Sequence, residues 1–423
     1  MIGGPQLGHL IQRLDRRQPP SRQSHSLRGQ QTRRGRLHGR GDQIGRRRDQ
    51  RRGDEGLGEM AHRRQEKGDL LLVMGHMARL FGDLDHEHDI AGGVDIGRHI
   101  VAGLRREARD QTGLVGRAVQ ARLLVDGVHE LRCAMRQLPP TSPANFEVCL
   151  SPGLASDADW SAALANVDAV IHCAARVHVM NEQSIDPLAE FRQVNVEGTL
   201  RLARQAVEAG VRRFIFVSSI KVNGEQTSPG HAYCADDVPE AVDPYGISKY
   251  EAEEGLRALA AETGLEVVIV RPPLIYGPGV KANFHSMLRW LHRGIPLPFG
   301  AIDNHRSFVA LDNLVDLLVL CLTHPAASGQ RFLVSDGEDL STTELLRRLS
   351  RALGRPARLV PIPQLWIEYG AGLLGQRALS QRLCGSLQVN IDKTRECLGW
   401  VPPLTVEQAL AKTAAHFLED AHS

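Results

Sequence analysis

Ser219, Tyr245 and Lys249 are the residues whose types and spacing invite chemistry. Ser219 follows the apolar run Phe214-Ile215-Phe216-Val217 through Ser218, and Tyr245-Gly246-Ile247-Ser248-Lys249 begins 26 positions later. A tyrosine and a lysine four apart share one helix face, so the ammonium favours the phenolate that a general base requires. A hydroxyl at the carboxyl end of a strand can hydrogen-bond a substrate oxygen beside that phenol. These are the parts of a carbonyl–alcohol interconversion: the tyrosine takes the hydroxyl proton while hydride leaves the same carbon, and the reverse step reduces a ketone. Side chains do not store hydride, so the chemistry needs a nicotinamide, NAD or NADP. Tyr-x-x-x-Lys alone is a common pattern; its place after a Ser-ending apolar run gives it weight. Gly113-Leu114-Val115-Gly116 opens the first clear helix, where glycines allow a pyrophosphate to approach free backbone N–H groups.

Such a site must be held by strands and helices, and the pattern after about residue 111 supplies them. Val115, Ala118, Val119, Arg122 and Leu123 follow a helical face that Gly127 ends. Short apolar runs at 131–135, 146–150, 168–173, 214–217 and 265–270 read as strands. Helical patterns lie at about 187–209, 245–261, 282–292, 312–323, 342–353 and 405–418. Strands alternating with longer helices imply crossover units, hence an α/β fold with a doubly wound, Rossmann-like parallel sheet.

The chain of 423 residues is divided by composition. Residues 1–110 hold 21 Arg, 18 of the 41 Gly and a single aromatic, Phe81, and carry a net charge of +7, which leaves −5 for the rest. Residues 1–70 lack a sustained period and cannot repay their ordering entropy by apolar burial, so disorder is expected there. The basic run Gly45–Arg52 has no interleaved aromatic and is interrupted by an acid, so nucleic-acid binding is not favoured. The alternating acids and histidines of Asp83–Asp89 would converge on a metal only in a special loop, and no metal is expected. All seven Cys fall after position 110, scattered and odd in number, as reduced thiols of a cytoplasmic protein would be. No apolar stretch is long enough to span a membrane, and the start lacks the pattern of a secretory signal.

From about 112 to 403 the sequence resembles the extended short-chain dehydrogenase/reductase family, specifically nucleotide-sugar epimerases and 4-ketoreductases. The resemblance rests on Ile171-His172-Cys173-Ala174-Ala175-Arg176, Asn195-Val196-Glu197-Gly198-Thr199, Ser218-Ser219, Asp243-Pro244-Tyr245 through Lys249, Arg271-Pro272-Pro273, Tyr276-Gly277-Pro278-Gly279 and Leu398-Gly399-Trp400. It implies a catalytic trio of Ser219, Tyr245 and Lys249. It also implies a cofactor channel lined by Ala174 and Ala175, with Asn195 fixing the adjoining backbone, Lys249 touching the nicotinamide ribose and Pro272 bordering the ring. Asn283 and Arg306 match positions that hold a nucleotide diphosphate, and Arg306 suits that task as a rigid five-donor fork. Ser219 is followed by Ile220-Lys221 rather than by the acidic pair of the family's 4,6-dehydratases, which disfavours dehydration. The motifs around His172–Val179 and Lys221–Gly224 lean toward 4-ketoreductases of deoxyamino-sugar synthesis. The expected reaction is epimerization or ketone reduction at C4 of a nucleotide-diphosphate sugar, in making cell-surface polysaccharide precursors.

The family opens with an apolar strand feeding Gly-x-x-Gly-x-x-Gly. In register with Gly113 and Gly116, the first glycine position holds Asp110 and the strand positions hold Arg105-Arg106-Glu107-Ala108-Arg109. That charged run cannot occupy a strand buried on both faces. The expected organisation is therefore an Arg/Gly-rich, disordered or foreign segment 1–110, a dinucleotide-binding core 111–272 lacking its usual first strand, and a substrate-binding part 273–423 interleaved with the end of the core. Ile100-Val101-Ala102 is the one candidate substitute for the missing strand. The second strand ends at Met135-Arg136 instead of at an acid for the adenosine ribose, so NADP is allowed; Arg136 reads either as a cofactor contact or as surface charge. The competing reading is a non-catalytic scaffold of the same fold with impaired cofactor binding. The apolar residues around Leu365-Trp366-Ile367 suit either a core cap or a homodimer contact.

Overall fold

The computed structural model describes residues 94–97, 99–100, 113–138, 145–177, 186–228, 230–373 and 377–422, all within the unit Lys67–Ser423. In chain order the elements are β1 (Val94–Gly97), β2 (His99–Ile100), α1 (Leu114–Asp126), β3 (Leu131–Met135), β4 (Glu147–Leu150), α2 (Ser161–Leu164), β5 (Ala169–His172), α3 (Pro187–Arg192) and, after a π-helical segment Gln193–Gly198, α4 (Thr199–Glu208). There follow β6 (Arg213–Val217), a 3-10 turn (Ile220–Val222), α5 (Pro244–Thr263), β7 (Glu266–Arg271), β8 (Leu274–Tyr276), α6 (Ala282–His292), β9 (Arg306–Ala310) and α7 (Leu311–Thr323). The remainder is β10 (Arg331–Leu333), β11 (Asp339–Leu340), α8 (Thr342–Ala352), α9 (Gln364–Leu373), α10 (Arg377–Cys384), α11 (Asp392–Leu398) and α12 (Val406–His422).

The main sheet runs β10-β7-β6-β5-β1-β3-β2, with β4 also paired to β3, and the pairs β10·β7, β7·β6, β6·β5 and β3·β4 are parallel. Its central strands are unbroken apolar runs because both faces are covered. Successive side chains therefore enter opposite cores. Val170, Phe214, Phe216, Val267 and Ile269 pack with Leu202 and Ala206 of α4 and Ala252 and Leu256 of α5. Ile171, Ile215, Val217, Val268 and Val270 pack on the other side with Val115, Val119 and Leu123 of α1 and Leu314, Val315 and Leu318 of α7. The doubly wound expectation holds. After residue 273 the chain builds a second core from α6, α8 and α12 and a small sheet in the order β11-β9-β8, yet it returns β10 to the main sheet beside β7.

The central position differs from expectation. The segment Val94–Gly97, inside the stretch expected to be disordered, lies between β3 and β5 and runs antiparallel to both. Val94 pairs with His172 and Gly97 with Ala169, so β1 ends at the amino edge of its parallel neighbours. The unpaired edges of β3 and β5 offer backbone donors and acceptors that must be met, and an antiparallel strand meets them as well as a parallel one. Of the expected substitute Ile100-Val101-Ala102, Ile100 pairs in parallel with Arg132 of β3, while Val101 and Ala102 lie outside the described residues. Asp110, the basic run Gly45–Arg52 and the acidic segment Asp83–Asp89 also lie outside them. The helix expected over 187–209 is interrupted by the π segment, for which the site supplies a reason.

Candidate active site

Strand β6 ends by delivering Ser218 and Ser219 to the carboxyl edge of the sheet. Ser219 has extended backbone and caps the 3-10 turn behind it, its Oγ accepting from the Lys221 N–H at 3.3 Å. Helix α5 begins with Asp243 as N-cap and Pro244 at its first turn, a sequence signal for a helix start. Asp243 Oδ1 accepts from the Gly246 N–H at 2.5 Å, and its Oδ2 receives Lys221 Nζ at 2.5 Å. The turn after Ser219 and the first turn of α5 are thereby tied together. They also touch: a Cβ on Gly246 would stand 2.8 Å from the Lys221 carbonyl oxygen, closer than real Cβ contacts come.

One turn into α5, Lys249 is buried and its Nζ donates to the carbonyl of Val217, the last residue of β6, at 2.9 Å. The ammonium lies 4.4 Å from the Phe216 ring centroid and 6.0 Å from that of Tyr245. Tyr245 is itself buried, with Phe191 of α3 edge-on to it at 6.2 Å. Burial pulls Lys249 down to about 7, with Cys173 and Glu253 pulling the other way. His172, buried beside it with Nε2 on Thr199 Oγ1 at 2.9 Å, is pushed down to about 3 by burial and by the Lys249 charge, and so stays neutral.

Ala174 and Ala175 are buried just beyond the end of β5. Asn195, in the π segment, accepts from the Arg176 N–H at 2.7 Å and donates to the Arg176 carbonyl at 3.0 Å and to Ser248 Oγ at 2.9 Å. One extra residue in this turn lets a single amide clamp the strand β5 exit to α5. Gly198 ends the segment where a Cβ would meet the Leu154 carbonyl oxygen. Pro272 is buried next to β7, and its carbonyl accepts from the Ile220 N–H at 3.0 Å. Ser219, Tyr245, Lys249, Ala174, Ala175, Asn195 and Pro272 thus belong to linked elements at one edge of the sheet.

Gly113 is the N-cap of α1, with no side-chain cap and no acid in the first turn, and Gly116 is buried within that helix. Arg136 is exposed just past β3. Arg306 opens β9 in the other part of the chain, its Nη1 on the Gly385 carbonyl at 3.0 Å, and burial together with Arg382 pulls it down to about 10. Asn283 falls in the first turn of α6, with its side chain outside the described residues. Sequence reasoning missed Gly246, Lys221, Asp243 as a cap, and the buried Glu253. Asp-Pro before a helix was a readable signal for the cap; nothing local marks the others.

Among known proteins, a model of the NAD dependent epimerase/dehydratase family matches residues 111–335. The chain is 45% identical to the UDP-glucose 4-epimerase of Vibrio cholerae over 310 residues, 73% of this chain and 94% of that protein. A solved UDP-glucose 4-epimerase of Thermotoga maritima, with UDP-glucose, shares the fold with a TM-score of 0.58 and 21% identity, over 73% of this chain and 97% of that one. So does the UDP-glucuronic acid 4-epimerase of Bacillus cereus in complex with NAD, with a TM-score of 0.58 and 18% identity, over 73% and 94% of the two chains. No described helix is long and apolar enough to cross a membrane. Sequence, fold and the linked elements at the strand ends agree that this chain belongs to the NAD dependent epimerase/dehydratase family.

Proposed function

We propose that this protein is an NAD(P)-dependent enzyme that interconverts epimers, or reduces a ketone, at C4 of a nucleotide-diphosphate sugar. The observation that carries the reading is the Lys249 ammonium bonded to the carbonyl of Val217, which joins the helix of Tyr245 to the strand end of Ser219. The 45% identical relative is a UDP-glucose 4-epimerase, which favours epimerization over the ketoreductase leaning of the sequence motifs.

The residues fit a nicotinamide nucleotide at this end. Among the described residues the only hydrogen-bond acceptor of Lys249 Nζ is the Val217 carbonyl, so two of its three donors suit a ribose diol. Ala174 and Ala175 put only small side chains at the exit of β5, and the uncapped N-terminus of α1 at Gly113 suits a pyrophosphate. When bound, the nicotinamide supplies the hydride acceptor and donor. Tyr245 takes the C4 hydroxyl proton onto its phenolate oxygen and returns it in the reverse step. Ser219 Oγ hydrogen-bonds the same oxygen and orients it. Lys249 favours the phenolate by its charge. Arg306 holds the diphosphate, so the sugar ring can turn while the nucleotide stays anchored. A coupled assay of UDP-galactose to UDP-glucose conversion tests this, with Tyr245→Phe expected to lose about 10²–10⁴-fold in kcat. Absence of turnover and of diphosphate-sugar binding in a folded sample refutes it.

The reversed β1 favours a second reading, a scaffold with weakened dinucleotide binding. In this fold a ligand sits outside the carboxyl ends of the strands. Gly97, the end of β1, lies instead at the amino edge. Calorimetry with NADH and NADPH separates the readings, because tight binding of either removes the basis for the scaffold.

A further inference from the structure

Behind the proposed trio lies a buried polar network that no step of the reaction uses. Glu253 sits on α5 one turn beyond Lys249, and neither Glu253 nor Arg271 of β7 has exposed surface. Arg271 holds the carboxylate through Nε at 2.9 Å and Nη2 at 2.5 Å, and donates from Nη1 to Asn223 Oδ1 at 2.9 Å. Ser218 Oγ donates to Glu253 Oε1 at 2.5 Å, and Asn223 Nδ2 donates to the Cys234 carbonyl at 2.9 Å. Burying both ions costs several kcal/mol each, and apolar residues of similar volume often serve stability equally well, so stability is a weak reason for the pair. Its attachments say more. Ser218 adjoins Ser219, Asn223 closes the turn behind Ser219, and Glu253 shares the helix of Tyr245 and Lys249.

We propose that Glu253, with Arg271 and Ser218, is a positioning residue: it fixes the strand end bearing Ser219 against the helix bearing Tyr245 and places a carboxylate one turn from the Lys249 ammonium. The proposal rests on the reading of Ser219, Tyr245 and Lys249 as catalytic. The groups facing Lys249 are His172 and Cys173 from the end of β5, Phe216 and Val217 from β6, and Tyr245 and Glu253 from its own helix. His172 is neutral, and Arg271 adds a second buried cation that Glu253 balances. Against the desolvation of Lys249, two groups favour its charged form, Cys173 first and Glu253 second. Removing the Glu253 charge therefore makes Lys249 lose its proton at lower pH.

Titration of the full chain labelled with 13Cε-lysine tests this by NMR, the Lys249 resonance being assigned by its loss in Lys249→Met. Glu253→Gln, which keeps the shape and removes the charge, is expected to move the Lys249 midpoint about one unit or more to acid. Glu253→Asp, which keeps the charge, is expected to leave it near the wild-type value, whereas a purely structural role treats the two alike. The matching limb of the kcat–pH profile moves with the midpoint. If Glu253→Gln does not fold, the double variant Glu253→Gln/Arg271→Gln leaves no lone buried charge, and because the Arg271 cation is removed with the carboxylate it is expected to give an acid shift smaller than that of the single variant. An unchanged midpoint in either folded variant overturns the proposal. The NMR measurement needs no turnover, so an acid shift in a protein without activity supports the charge placement while refuting the catalytic reading on which it rests.

Discussion

Gly246→Ala tests how closely the turn behind Ser219 approaches the helix of Tyr245. The new Cβ would lie 2.8 Å from the Lys221 carbonyl oxygen and 3.0 Å from Asp243 Oδ1. Ordinary contact begins at about 3.5 Å, so the first turn of α5 must retreat by roughly half an ångström or more. Alanine gains about 1 kcal/mol over glycine within a helix, while overpacking against backbone costs about 1–3 kcal/mol, for a net loss of about 0–2 kcal/mol. The larger effect falls on the reaction. Tyr245 is the residue before Gly246, and a misplacement of about 1 Å can cost on the order of 100-fold, so a half-ångström retreat is expected to lower kcat about tenfold. KM for the nucleotide sugar should change little, since Arg306 sits on β9 and is held by Gly385. Chemical unfolding and the UDP-galactose assay measure the two effects. A Gly246→Ala protein about 1 kcal/mol more stable and fully active would show that the contact yields freely and that this approach does not set the tyrosine.

Arg271→Met leaves Glu253 buried without its partner and is expected to destabilise by about 3–5 kcal/mol, most of which the double variant Arg271→Met/Glu253→Leu recovers in equilibrium unfolding. Lys249 falls from an ordinary 10.5 to about 7 in the folded chain, so between those values the unfolded chain binds a proton that the native one does not. Native stability therefore rises with pH across that window, and Lys249→Met should flatten the rise by up to about 1.4 kcal/mol per pH unit, read from unfolding at pH 7 to 10. Arg306→Met should raise KM for the nucleotide sugar while leaving dinucleotide affinity unchanged in calorimetry, and a KM equal to wild type would remove Arg306 from the diphosphate site.

By itself the sequence determined what rests on local pattern. Apolar runs such as Phe214–Val217 are strands because both their faces can be buried, Asp243-Pro244 starts a helix because cap and φ are supplied together, and a four-residue spacing places Tyr245 and Lys249 on one face. The small sheet of β8, β9 and β11 is not legible in the sequence, because its short strands are paired by residues distant in the chain, and the short helices α10 and α11 carry too few turns to show a period. Tertiary structure alone decided that Arg271 closes on Glu253 across 18 positions, that Gly246 faces the Lys221 carbonyl, and that Asn195, within a π-helical segment, reaches the backbone of Arg176. It also decided that Val94–Gly97 fills the centre of the sheet in reverse. Backbone edges accept any strand that satisfies their hydrogen bonds, so the identity and direction of a partner are properties of the assembled sheet and leave no mark in the four residues themselves.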